Sequence, residues 1–116
     1  MHELSVTTRI LDTALRCMRD NNLSKIYSIT LEIGAMNDYE DQWLTKYFNE
    51  LAEGTPAHGA NLIIDHKPFI FKCKDCGHEL IFDVRGKDDC TCPGCKGINF
   101  TMISGRQFEI TSIEAE

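Results

Sequence analysis

Two cysteine pairs, Cys73-Lys74-Asp75-Cys76 and Cys92-Pro93-Gly94-Cys95, stand with fifteen residues between them and constrain how the second half of this chain folds. In each pair the two intervening residues let the backbone turn so that both sulfurs reach one ion, at about 2.3 Å for zinc. Gly77 and Gly94 are expected to relieve the backbone where the turns are sharpest. Two such knuckles give tetrahedral four-sulfur ligation, which favours zinc, with iron as the lesser alternative. Four sulfurs leave no open coordination position, so the centre is expected to be structural, and metal binding and folding of the segment become one equilibrium. Cys90 adds a further thiol that offers an alternative to Cys92; the symmetry of the knuckles favours Cys92 and leaves Cys90 free.

Disulfides are the competing use of six cysteines. The N terminus lacks the basic-then-apolar layout of a secretory signal, because Arg9 and Asp12 interrupt its first turns, so a cytoplasmic location and metal-binding thiols are expected. No apolar run approaches the length of a membrane span. The segment Phe69–Ser104 holds five of the six cysteines and four glycines, and few bulky apolar residues, so something other than burial must fold it. With 116 residues and 42% hydrophobic content, the chain has room for one modest core and a small metal-stapled module, and not for two ordinary domains.

Hydrophobic periodicity places that core on either side of the cysteine segment. Ile10, Leu11, Ala14, Leu15, Cys17 and Met18 share a helical face, and Asp20-Asn21-Asn22 supplies a stop, which predicts a helix over Leu4–Asp20. Cys17 on that face reads as a small buried hydrophobe. Over Ile26–Ile33 the residues Tyr27, Ile29, Leu31 and Ile33 alternate with Ser28, Thr30 and Glu32, the period of a half-buried strand that Gly34 ends. Trp43, Leu44, Tyr47, Phe48 and Leu51 form the apolar stripe of a second helix, capped by Asp41 or a nearby acid and closed by Gly54-Thr55-Pro56. Asn61–His66 predicts another strand, reached from the first by a right-handed parallel crossover. Gln107–Ile113, with Phe108, Ile110 and Ser112 on one face, returns to the same sheet. The expected fold class is α+β: a small mixed sheet with two helices over residues 1–68 and 105–116, and an inserted zinc-ribbon module over 69–104, joined near Lys67-Pro68 and Ser104-Gly105.

The opening residues Met1-His2-Glu3 offer a second kind of metal site. The terminal amine, the His2 amide nitrogen and the His2 ring nitrogen form fused chelate rings around one ion, with the Glu3 amide or carboxylate in or beside the fourth place. Planar nitrogen ligation suits Ni(II) or Cu(II), whereas zinc prefers a tetrahedron. Composition alone gives a weaker account: a histidine at position 2 is usually a solvated terminal residue, and Glu3 is a routine favourable charge at a helix N terminus.

Several motifs taken together tip the balance. Met1-His2-Glu3-Leu4-Ser5 at the start, Leu31-Glu32-Ile33-Gly34 at a strand end, Gly59-Ala60 before the next strand, the two cysteine pairs, and Gly105, Phe108-Glu109-Ile110 and Ile113-Glu114 at the close resemble the HypA/HybF family of hydrogenase nickel-incorporation proteins over the whole chain. The resemblance implies a nickel metallochaperone for [NiFe]-hydrogenase assembly. The sequence shows no paired carboxylates, no nucleophile with its base and no phosphate-cradling glycine loop, so no enzymatic activity of its own is expected. His2 and Glu3, with the Met1 amine, match the nickel motif, and Cys73, Cys76, Cys92 and Cys95 match the zinc motif. It further implies as partners a maturation GTPase, the hydrogenase large-subunit precursor and, in some members, urease maturation proteins. Whether Asp38, Glu40 or Asp41 adds to the nickel site stays open.

Two other function classes compete. A zinc-ribbon adaptor for nucleic acid requires a basic surface, against which stands a net charge of −6 from 18 acidic and 12 basic side chains. A thiol oxidoreductase requires an accessible cysteine pair of low pKa that cycles without metal. His58, His66 and His78 read as surface residues, with a hydrogen bond from His78 to a cysteine sulfur as the one further role considered.

Overall fold

The computed structural model describes residues 2–82 and 91–116, with His2 and Phe82 described by their backbone only. Cys90 and Met1 lie outside the described residues. In chain order the elements are α1 (His2–Asp20), β1 (Ile26–Gly34), α2 (Asp41–Leu51), β2 (Asn61–Lys67), β3 (Phe69–Cys73), β4 (Glu79–Phe82), β5 (Phe100–Ser104) and β6 (Phe108–Ala115). They form two three-stranded sheets, ordered β2-β1-β6 and β4-β3-β5.

Helix α1 forms because Val6, Thr7, Ile10, Leu11, Ala14 and Met18 recur on one face, and all six are buried. Thr7 takes an apolar position because its hydroxyl donates to the Glu3 carbonyl one turn back. Leu15 and Cys17 flank the buried stripe and are half-exposed. The helix stops as the Asn pair foretells. Asn22 adopts a left-handed φ of 53°, and Leu23 N donates to Met18 O at 2.9 Å, which closes the last turn. Helix α2 packs against α1 and buries Leu44 and Phe48. Trp43 is 39% exposed and stacks on Tyr47, so the aromatic pair lies at the margin of the stripe, not inside it. The expected side-chain cap of α2 does not form. Glu40 is the N-cap and makes no side-chain cap bond, and Asp41 is already helical.

Strand β1 is the middle strand of its sheet and has buried residues on both faces. Ile29, Leu31 and Ile33 lie on one face, and Ile26 and Ser28 are buried on the other. Tyr27, expected among the inward residues, is instead exposed: its hydroxyl donates to the Glu116 carboxylate, and the Lys25 ammonium sits 5.3 Å from its ring centre. Hydrogen bonds from Lys25 N to Glu116 O (3.0 Å) and from Gly34 N to Gln107 O (2.7 Å) set β1 and β6 antiparallel. On β6 burial follows Phe108 and Ile110 and then shifts to Ile113 and Ala115, leaving Ser112 exposed.

By its internal contacts the chain divides into two compact units. One comprises Met1–Glu32, Asp38–Asp65 and Glu109–Glu116; the other comprises Ile33–Asn37 and His66–Phe108. The second unit therefore recruits the end of β1, which sequence reasoning assigned to the helical part. Backbone geometry accounts for this. A Cβ on Gly34 would stand 2.2 Å from both the carbonyl carbon and the oxygen of Gly105, so only glycine allows this close approach. Met36 N then donates to Gly105 O at 2.8 Å, and Asn37 Nδ2 to Gln107 O at 2.8 Å. The strands into and out of the cysteine segment are tied together as well. Ser104 Oγ donates to Pro68 O at 3.0 Å and accepts from Gln107 Nε2 at 2.8 Å.

Candidate metal centres

The four cysteines of the two pairs meet. Their sulfurs all lie within 4.8 Å of one another, the one cluster of potential metal ligands found among the described residues. Across the knuckles Cys73 Sγ is 3.6 Å from Cys95 Sγ, and Cys76 Sγ is 3.5 Å from Cys92 Sγ. A tetrahedron with bonds of about 2.3 Å has sulfur–sulfur edges of about 3.8 Å. The cluster thus has the size a thiophilic cation needs, with little contraction or expansion.

The two knuckles are built alike. Cys73 N donates to His78 O (2.8 Å) and Gly77 N to Cys73 O (2.9 Å); in the second, Cys92 N donates to Gly97 O (2.9 Å) and Lys96 N to Cys92 O (2.7 Å). This closure forces a left-handed residue at the fourth place after the first cysteine. Gly77 takes it at φ 78° and Lys96 at φ 61°. Gly94, expected to relieve the second turn, has no such φ; the strain falls on a lysine instead. Beyond the first knuckle β3 pairs antiparallel with β4 on one side and β5 on the other, in registers such as Phe71↔Leu80 and Cys73↔Phe100. Phe71 meets Phe69 and Phe100 there, at ring-centre distances of 6.0 and 6.5 Å.

Backbone N–H groups also point at the sulfurs. Those of Cys95, first, and Gly94 hold the Cys92 thiol down, at about 6. At Cys95 the Gly97 N–H favours the thiolate, yet the neighbouring thiols, Cys73 foremost, push it up to about 12. Cys76 likewise accepts from the His78 N–H and is raised by its neighbours, Cys92 first. The hydrogen bond from His78 to a cysteine sulfur is thus made by its backbone N–H. Without a cation the cluster favours a thiolate at Cys92 and disfavours one at Cys76 and at Cys95; a divalent ion would relieve that repulsion by binding all four sulfurs.

At the other end of the chain α1 begins at His2, so the backbone N–H groups of its first turn have no carbonyl partner within the helix. The His2 ring and the Met1 amine lie outside what is described. Glu3 Oε2 lies 3.5 Å from Glu40 N, at the amino end of α2, thirty-seven residues on. Its own backbone N–H above all, with the Glu40 N–H among the lesser causes, holds the Glu3 carboxyl below its usual range. Of the three acidic residues left open as neighbours of the terminal site, Glu40 is thus brought to Glu3, through its backbone N–H.

A family model described as hydrogenase/urease nickel incorporation, metallochaperone, hypA matches residues 1–115. The chain belongs to the HypA family. Among its relatives, the hydrogenase maturation factor HypA of Aquifex aeolicus is 33% identical over 116 residues, covering 100% of this chain and 98% of the relative. That of Methanocella arvoryzae is 34% identical, covering 100% and 99%. A solution structure of HypA protein superposes with a TM-score of 0.73 at 24% identity, covering 100% of this chain and 97% of that one. The nickel metallochaperone HypA from Helicobacter pylori superposes at 0.64 and 21%, covering 97% and 96%. At such identities the superpositions establish the fold, an α+β arrangement of the HypA kind. The four-cysteine cluster of this HypA chain is consistent with a zinc-ribbon module.

Proposed function

We propose that the protein is a nickel metallochaperone: it takes up Ni(II) at its N terminus and, with a GTPase partner, delivers it to the large-subunit precursor of a [NiFe]-hydrogenase, acting by transfer and not by catalysis. The observation that carries this reading is the match of a nickel-incorporation family over residues 1–115, which includes Met1-His2-Glu3. The donors proposed are the Met1 amine, the His2 amide and ring nitrogens, and the Glu3 amide or carboxylate. The start of α1 at His2 supports it, because the amides of a helix's first turn are not committed to backbone carbonyls. A shallow terminal site exposes its ion to an acceptor from one side, as delivery requires. The amine and imidazole must be deprotonated to bind, so nickel affinity falls as the pH drops through the imidazole range.

The unit containing His66–Phe108 is proposed as the zinc-ribbon domain, with Cys73, Cys76, Cys92 and Cys95 holding a structural Zn(II), and the unit containing α1 and α2 as the nickel-binding domain. Zinc supplies four bonds that hold the knuckles together. None of the described helices is long and apolar enough to cross a membrane, in keeping with work in the cytoplasm. The test is a nickel titration of untagged protein beside His2→Ala. About one nickel per chain, lost in the variant, is expected; equal uptake by both overturns the proposal.

A further inference from the structure

Burial divides the four cysteines into two kinds. Cys73 and Cys92, the first of each pair, are 1% and 0% exposed, whereas Cys76 and Cys95, the second of each, are exposed. The backbone enforces the same division. Both the N–H and the carbonyl of Cys73 are engaged in closing its knuckle, with His78 and Gly77, and both those of Cys92 are engaged with Gly97 and Lys96. Two cross-knuckle sulfur contacts, Cys73 to Cys95 at 3.6 Å and Cys92 to Cys76 at 3.5 Å, each join one buried member to one exposed member. The exposed sulfurs thus come from different knuckles and open on one cluster. A Cβ on Gly94 would stand 3.7 Å from both Cys76 Sγ and Cys92 Sγ, and one on Gly97 would stand 3.2 Å from Cys95 Sγ and 2.7 Å from Asp75 Oδ2.

We propose that metal enters and leaves the four-sulfur centre across the face formed by Cys76 and Cys95, which are its exchange and modification sites, while Cys73 and Cys92 stay as the anchoring pair. An incoming thiol ligand, or a soft electrophile, reaches the two exposed sulfurs first. A maleimide shows the chemistry: the thiolate adds to the carbon–carbon double bond, the metal–sulfur bond breaks as the sulfur–carbon bond forms, and solvent supplies the proton to the neighbouring carbon. Loss of two ligands leaves the ion on Cys73 and Cys92 alone, from which an acceptor takes it. The inference rests on the reading of the ribbon as a zinc centre.

The test begins with elemental analysis of the full chain as purified, followed by a pulse of N-ethylmaleimide and peptide mass mapping of each cysteine, with zinc release followed in parallel by a chromophoric chelator. In protein with one zinc per chain, Cys76 and Cys95 should label at least about tenfold faster than Cys73 and Cys92, because access sets the rate once all four are thiolates. Zinc release should follow their labelling. Gly94→Ala places a methyl at van der Waals distance from Cys76 Sγ without backbone strain, and should slow labelling of Cys76 while leaving Cys95 as it was. Labelling of all four at one rate, or of Cys73 or Cys92 first, overturns the exchange face while the zinc reading stands. Absence of zinc from the purified protein overturns both, and the elemental analysis tells the two failures apart.

Discussion

In the unit built on α1 and α2 the fully buried side chains include Phe48, Leu44, Ile26, Ile29, Leu31 and Thr7; among the described residues of the other unit they are Ile33, at the end of β1, Cys73 and Cys92. The ribbon meanwhile leaves Ile81, Ile98 and Ile103 exposed, at 70%, 72% and 48%. One unit is therefore held by apolar area removed from water, and the other by whatever joins its sulfurs. The contrast teaches why so short a chain can support both: burial scales badly with size, and a four-cysteine cluster offers a metal the place of the core that the smaller unit cannot make.

Removing the metal is the largest way to break the comparison. Structural zinc in small modules is worth on the order of 10 kcal/mol of folding free energy. Chelation should abolish amide protection in β3, β4 and β5 and leave that of α1 and β1 in place, as read by hydrogen exchange. Uniform loss across the chain would mean the units do not differ in this way. Acid should do the same more gently. In the folded ribbon the depressed Cys92 thiol contributes stability that is complete above the usual thiol range, near 9, and is lost as pH falls through about 6. The raised Cys95 thiol contributes stability complete below about 9 and lost as pH rises through about 12. Because zinc requires all four thiolates, its affinity should climb with pH across the neutral range; a flat profile in a competition titration would refute the assignment.

A smaller effect sharpens the other side. Phe48→Ala should destabilise the helical unit by about 3–5 kcal/mol, measured by urea denaturation through Trp43 fluorescence, with zinc content unchanged. Zinc lost in step would tie the two units together. Gly34→Ala meets the Gly105 backbone and should destabilise by roughly 1–3 kcal/mol or more, with the loss read in the exchange of the residue 34 and Met36 amides, which donate to Gln107 O and Gly105 O. The smallest change is a gain. Lys96→Gly removes the left-handed strain of the second knuckle and should stabilise the ribbon by about 1 kcal/mol, seen as slower zinc loss to a chelator.

Much was legible in the sequence because the signals are local. The 3.6-residue recurrence through Ile10, Leu11, Ala14 and Met18, the Asn22 stop, the alternation in β1 and the spacing within each cysteine pair all act over a few residues. The paired cysteines are likewise legible as a motif, since a knuckle closes within one turn of chain. Three features were decided only by the tertiary structure. Tyr27 turned outward because a carboxylate eighty-nine residues away accepts its hydroxyl proton in a hydrogen bond. The end of β1 joined the cysteine segment because Gly34 and Gly105 approach without side chains, and Glu3 met the start of α2 because α1 and α2 pack together. The division of the four cysteines into a buried and an exposed pair belongs with these. Identical Cys-x-x-Cys spacing carries no information about which sulfur faces solvent, since that depends on how the second knuckle lies over the first.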